Sequence, residues 1–236
     1  MKKYIFPIVI AVLILPLSLN AGATPTTERT KGYHVNKNFD VVPNNKNDNR
    51  KVILITIDDG PSKYGNDMMK TLQKHNAKAI FFVNGVHNKK YPYNIKMQHD
   101  AGFSIGNHTW NHINLKQQKN KDKIKKEIDD NTKLILKATG SSPKFFRAPF
   151  GVSTPYVKEI TKADGMIYMN WSGSAKDWEK NTKEEKVFIE NIMKDLHPGE
   201  ILLIHEHQWT AKYLDTLLTK LEQKGYSFLD PKDITN

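Results

Sequence analysis

The chain has 236 residues, 38% of them hydrophobic and 26% charged, the balance of a soluble globular protein with one domain of ordinary size or two small ones. It contains no cysteine, which excludes disulfides, thiolate metal sites and a cysteine nucleophile, so any metal must be held by His, Asp, Glu or backbone oxygens. The net charge of +11 favours an anionic partner such as a wall or surface polymer, or else reflects a solvated lysine-rich surface. Without the aromatic and basic motif of an RNA or DNA module, nucleic acid is not expected as a partner.

Lys2 and Lys3 precede an uncharged apolar run over residues 4–19, and Ala21-Gly22-Ala23 supplies the small-x-small pattern read by signal peptidase. The run's 16 residues fall short of the ~20 that span a bilayer. A cleaved signal peptide over residues 1–23 is therefore expected, in contact with the membrane only in transit. An uncleaved anchor is the other reading, and both place the protein outside the membrane. Residues 24–50 are polar, with Asn44, Asn45, Asn47, Asp48 and Asn49 crowded at the end. Their weak apolar periodicity reads as a linker or loosely ordered leader ahead of a domain over residues 51–236.

From residue 51 the pattern changes to short β-branched or aromatic runs alternating with segments of helical period. The first expected strand, residues 52–57, runs into Asp58-Asp59-Gly60-Pro61-Ser62. Adjacent carboxylates at a strand end suit one cation ligand and one base, although Asp-Gly-Pro is also plain turn chemistry. Strands over 79–83 and 103–105 follow, the latter leading to His108-Thr109-Trp110-Asn111-His112. Two histidines at i and i+4 face the same way on a helix and suit one metal, with Asp58 or Asp59 as a third ligand; two surface histidines are the alternative. A helix is expected over 121–138 on the stripe Ile124, Ile128, Leu134, Ile135 and Ala138. The strand at 145–146 leads to Arg147-Ala148-Pro149-Phe150-Gly151, and the one at 166–171 to Asp177-Trp178. Helices over 183–196 and 210–223 flank a strand at 201–204 that runs into His205-Glu206-His207, and a last strand covers 226–229. This alternation, repeated about seven times, argues for a parallel sheet covered by helices, either a (β/α) barrel or an open doubly wound sheet. The polar residues cluster after the strands, the end that carries the active site in such barrels.

Taken together these pieces resemble the polysaccharide deacetylases with the NodB homology domain, carbohydrate esterase family 4. Thr56-Ile57-Asp58-Asp59-Gly60-Pro61 is similar to the family's first motif, and His108-Thr109-Trp110-Asn111-His112 to its second. Arg147-Ala148-Pro149-Phe150-Gly151, Asp177-Trp178 and Leu203-Ile204-His205 are similar to the third, fourth and fifth. The likeness covers about residues 50 to 231 and departs from the family at Ser174, where an Asp often begins the fourth motif. It implies a distorted (β/α) barrel of about seven strands and a monomeric, secreted, wall-associated hydrolase. The substrate implied is an N-acetylated cell-wall or exopolysaccharide, foremost the N-acetylglucosamine of peptidoglycan. N-acetylmuramic acid, poly-N-acetylglucosamine, chitin fragments and O-acetylated xylan are alternatives, as is a non-catalytic wall-binding protein. By the same resemblance, Asp59, His108 and His112 hold one divalent metal, foremost zinc, with cobalt, nickel or iron fitting the same ligands. Asp58 is then the general base, oriented by Arg147, and His205 the acid, kept charged by Asp177. The Phe150 backbone N–H faces the oxyanion, and Trp178 and Leu203 wall the acetyl pocket. His207 is expected as a bystander at the groove edge.

Overall fold

The computed structural model describes residue 1 and residues 32–235, so the expected signal segment lies, apart from Met1, outside the described residues. Part of the stretch expected as a loose leader is ordered. Tyr33–Val35 (β1) and Val41–Pro43 (β2) pair as an antiparallel hairpin. Tyr33 and Val41 are buried among Leu54, Phe82, Ile201, Leu229 and Ile234. The two apolar residues are too far apart to form a periodic run, so this packing leaves little trace in the sequence.

The hairpin is followed by Val52–Gly60 (β3), Gly65–Lys74 (α1), Ala79–Val83 (β4), Gly85–Asn88 (α2), Asn94–Asp100 (α3) and Ser104–Asn107 (β5). Next come Lys121–Thr139 (α4), Phe145–Phe146 (β6), Pro155–Ala163 (α5), Ile167–Tyr168 (β7) and Gly173–Ser174 (β8). Glu185–Asp195 (α6), Glu200–His205 (β9), Gln208–Gln223 (α7) and Ser227–Phe228 (β10) complete the chain. The longest helix shows why these boundaries fall where they do. The Asn120 side chain caps the Lys123 N–H, Ile124, Ile128 and Ile135 form the buried stripe, and Gly140 ends α4 in the left-handed region at φ 78°.

The main sheet runs β7-β6-β5-β4-β3-β9-β8, with β10 beside the start of β3, and its pairings are all parallel. It is the distorted barrel of the two expected arrangements, left open between its edge strands β7 and β8. Strand period explains the two cores. Ile53, Ile55 and Ile57 pack outward with Met68, Leu72, Leu214 and Leu218 of the helices. Val52 and Leu54 pack inward with Ile80, Phe82, Met169 and Ile201. The same parity turns Thr56 and Asp58 inward at the carboxyl end of β3, where Asp58 is paired in register with His205 of β9. The hairpin closes the opposite end, the Val41 N–H donating to Gly199 and Tyr33 bridging to Ile234.

Candidate active site

Strict alternation would send Asp58 and Asp59 to opposite faces of the sheet. Asp59 instead sits at φ 67°, where the β3–β4 register shifts between Ile57 and Gly60. This irregularity turns its carboxylate back toward the barrel mouth, so both aspartates reach one place. Their surroundings differ. Asp58 is 2% exposed and accepts from Arg147 Nη1 at 2.8 Å. Arg147 is fully buried and also donates to Thr56 Oγ1 at 2.8 Å and the Asn170 carbonyl at 2.7 Å. Burial pushes the Asp58 carboxyl above the usual carboxylate range, opposed chiefly by the Arg147 charge.

His108 and His112 converge without the helix that their spacing suggests. Residues 108–112 form a loop with left-handed turns at Thr109 (φ 68°) and His112 (φ 55°). The loop's polar groups are held by α4. Trp110 N–H donates to the Glu127 carbonyl, Asn111 donates twice to the Glu127 carboxylate at 2.7 Å, and Asn131 donates to Asn107 Oδ1 at 3.0 Å. His108 Nδ1 lies 2.8 Å from the Arg147 carbonyl. A carbonyl only accepts, so Nδ1 carries the proton and Nε2 keeps its lone pair. Burial lowers the His108 pKa to about 3, which keeps the ring neutral.

These residues meet the needs of a cation. Asp59 Oδ1 is buried, with no hydrogen-bond partner among the described residues. It lies 3.6 Å from His108 Nε2 and 3.3 Å from His112 Nε2. Two ligands of one tetrahedral zinc are about 3.3–3.4 Å apart, given Zn–N and Zn–O of about 2.0–2.1 Å. A neutral imidazole whose other ring N–H donates to a carbonyl is also the usual state of a metal-binding histidine.

On the other side of the mouth, Asp177 is fully buried, and both of its oxygens are hydrogen-bonded. It accepts from the His205 N–H at 2.7 Å, His205 Nδ1 at 2.7 Å and Thr210 Oγ1 at 2.8 Å. Burial alone would lower the His205 pKa. The Asp177 hydrogen bond and charge, aided by Asp58 and Asp59, outweigh it and raise the value to about 9. Asp177, His205 and His207 also lie within metal-binding reach of one another. With its oxygens taken by three hydrogen bonds, Asp177 suits a held proton on His205 better than a cation. His207 stacks between His205 and Trp209, its pKa lowered by burial. Ser174 lies in β8 beside Leu203, its hydroxyl accepting from the Lys176 N–H at 3.0 Å.

A cavity of about 400 Å³ opens between these groups, lined by Asp58, Asp59, His108, His112 and His205. Phe150, Trp178 and Leu203 complete it, together with Ala148 and Trp171, which sequence reasoning had not singled out as site residues. Phe150 stands at φ 60° with its ring against His112 and 61% exposed. Arg147 and Asp177 lie behind this wall and touch Asp58 and His205. Sequence reasoning also missed the supporting residues Glu127, Asn131 and Glu206. For Glu206 a signal was present, a carboxylate between two histidines directly after an apolar strand.

Residues 45–169 match the family model described as polysaccharide deacetylase. The chain is 34% identical over 192 residues to the peptidoglycan-N-acetylmuramic acid deacetylase PdaA of Bacillus subtilis, covering 80% of this chain and 73% of that protein. It is 30% identical over 237 residues to the peptidoglycan-N-acetylglucosamine deacetylase PgdA of Listeria monocytogenes, covering 95% of this chain. It spans only about half, 49%, of that relative's length. Among solved structures, wild-type BA3943 of Bacillus anthracis, described as a CE4 family pseudoenzyme, superposes with a TM-score of 0.73 at 30% identity. That match covers 78% of this chain and 65% of the other.

Proposed function

We propose that this chain, which belongs to the polysaccharide deacetylase family, is a metal-dependent hydrolase that removes acetyl groups from N-acetylated sugars of a cell-wall polysaccharide. The observation that carries this reading is the pairing of Asp58 with His205 across one strand register, with the cation-suited cluster beside them. A base and an acid then flank one cavity, as amide hydrolysis requires.

Asp59, His108 and His112 would hold the metal, foremost zinc, which when bound supplies Lewis-acid polarisation of the acetyl carbonyl and acidifies water. Asp58, oriented by Arg147, takes a proton from the attacking water. The Phe150 backbone N–H faces the oxyanion as the carbonyl carbon becomes tetrahedral. His205, held charged by Asp177, gives its proton to the departing amine, so the sugar leaves as a neutral amine and acetate remains. Trp178, Leu203 and Trp171 shape a dry pocket for the acetyl methyl.

N-acetylglucosamine of peptidoglycan is the favoured substrate, supported by the expected export signal, the positive charge and the Listeria relative. N-acetylmuramic acid, named for the Bacillus relative, is the alternative. Action outside the membrane, at the wall, follows from either. The test is acetate release from purified peptidoglycan, with mass analysis of the muropeptides to locate the free amine. Release abolished by chelator and restored by Zn²⁺ or Co²⁺ is expected. Intact N-acetyl groups after treatment with metal-loaded protein would favour the non-catalytic wall-binding reading.

A further inference from the structure

The segment that leads from Asp59 into α1 folds around one side chain that the reaction does not use. Glu206 follows His205 and is 5% exposed. Its Oε2 accepts the Ser62 backbone N–H at 2.7 Å, and its Oε1 accepts Gln98 Nε2 of α3 at 3.3 Å. Its own backbone N–H donates to the Asp58 carbonyl at 3.1 Å, and its carbonyl accepts the Ser62 hydroxyl at 3.4 Å. Two glycines make room for it. A Cβ on Gly60 would lie 2.3 Å from Glu206 Oε1, and a Cβ on Gly65 would lie 2.6 Å from Oε2.

Asp59 needs such support. A non-glycine residue at φ 67° persists only where its surroundings impose the conformation. At Asp59 and Gly60 themselves, restraint comes from the Asn84 N–H on the Gly60 carbonyl at 2.7 Å and from His87 Nδ1 on the Asp59 carbonyl at 3.1 Å. Downstream, the Ser62 N–H is held by Glu206 alone among the contacts described. We infer that Glu206 is a positioning residue for the cation site, holding residues 59–65 so that the Asp59 oxygen stays opposite His108 and His112. The inference rests on reading those three residues as the cation ligands. Glu206 acts here as a hydrogen-bond acceptor rather than as a charge. A glutamine at 206 accepts the Ser62 N–H equally well. Gln98, whose Oε1 has no partner among the described residues, turns over to accept from the new amide.

The experiment is a Co²⁺ titration of the metal-free full chain, followed by visible absorption, for wild type, Glu206→Ala, Glu206→Gln and Glu200→Ala. Glu200 is a buried carboxylate at the far end of β9 and serves as the control for general destabilisation. Loss of a group that orients a metal ligand costs about 10–100-fold in metal affinity. Glu206→Ala is expected to weaken Co²⁺ binding by that factor and to alter the absorption band, with Glu206→Gln and Glu200→Ala near wild type. If Glu206→Ala does not fold, Glu206→Asp, one methylene short of Ser62, is read in its place with the same loss expected. Wild-type affinity in the alanine or aspartate variant overturns the inference, as does an equal loss in Glu200→Ala or in Glu206→Gln. Absence of Co²⁺ binding to wild type overturns the ligand reading beneath it instead.

Discussion

Two neighbouring aspartates with the same chemistry sit in opposite surroundings, and the roles proposed for them differ accordingly. Asp58 is bound to a buried arginine, whereas Asp59 offers a bare oxygen to two imidazoles. Asp58→Asn is therefore expected to keep the metal and lower kcat by roughly 10²–10⁴-fold. Asp59→Asn is expected to lose metal affinity. Metal titration beside kinetics checks both, and the reverse pattern would exchange the roles. The acid role proposed for His205 is testable through pH. His205 is raised to about 9 chiefly by Asp177 acting against burial, so it stays protonated through neutrality and loses its proton only near that value. The alkaline limb of kcat/KM is expected near pH 9 and should move down in Asp177→Asn. His205→Ala should slow an N-acetyl substrate far more than an activated aryl acetate, because an amine leaves only once protonated. Equal slowing of amide and ester, with the limb unmoved in Asp177→Asn, would remove His205 from this role.

The site is assembled by strand ends and by one loop whose anchor is a helix. Trp110 sits between the two histidines and packs where Gly85, at the start of α2, has no side chain. A Cβ on Gly85 would lie 2.2 Å from the Trp110 ring. Backbone bonds from Gly85 to Thr109 and from Val86 to Trp110 tie the two segments further. Gly85→Ala must therefore displace the indole and with it the loop. A loss of about 1–3 kcal/mol in stability is expected from such overpacking, together with weaker metal binding. Thermal denaturation and metal titration of the variant measure both. Unchanged values would mean that Trp110 yields freely and does not set the histidine geometry.

At the scale of the whole molecule, the barrel has a chemical end and a closing end, and the closing end carries its own titratable cluster. Asp40 of the hairpin segment lies 2.9 Å from His197, and His197 lies 3.5 Å from Glu200 at the foot of β9. Burial raises Glu200 from 4.5 to about 7, and one of its oxygens has no partner among the described residues. Glu206 is raised to about 7 by burial as well. A carboxyl with a raised folded pKa contributes stability that is full below its unfolded value and is lost as pH rises through the folded one. The protein should thus lose stability between about pH 4.5 and 7, on the order of 3 kcal/mol for each group. His197, which its partners raise against burial, adds a loss of the same sign above its ordinary 6.5. Melting temperatures across pH should fall through this window, and Glu200→Gln should flatten the fall. A variant that melts with the same pH profile as wild type would show that Glu200 does not titrate there.

The sequence by itself determined what depends on neighbours along the chain. Short continuous β-branched or aromatic runs and helical stripes such as Ile124, Ile128 and Ile135 specified the parallel sheet and its cover, because burial of a whole strand or of one helix face is written in local composition and spacing. The polar residues after each run then named Asp58, His108, Arg147 and His205 as candidates, because parallel strands bring their carboxyl ends to one side. Contacts between distant segments were not legible. The hairpin at Tyr33 and Val41 carries no period. The two-residue strand β8 is too short for one, and Glu127 and Asn131 look like solvated helix positions until the histidine loop lands on them. Only the tertiary structure decided that the two histidines meet through left-handed loop turns rather than a helix. It likewise decided that a register shift sends two adjacent aspartates into one cavity. Both outcomes depend on backbone angles that the surrounding packing imposes and that residue identity alone leaves open.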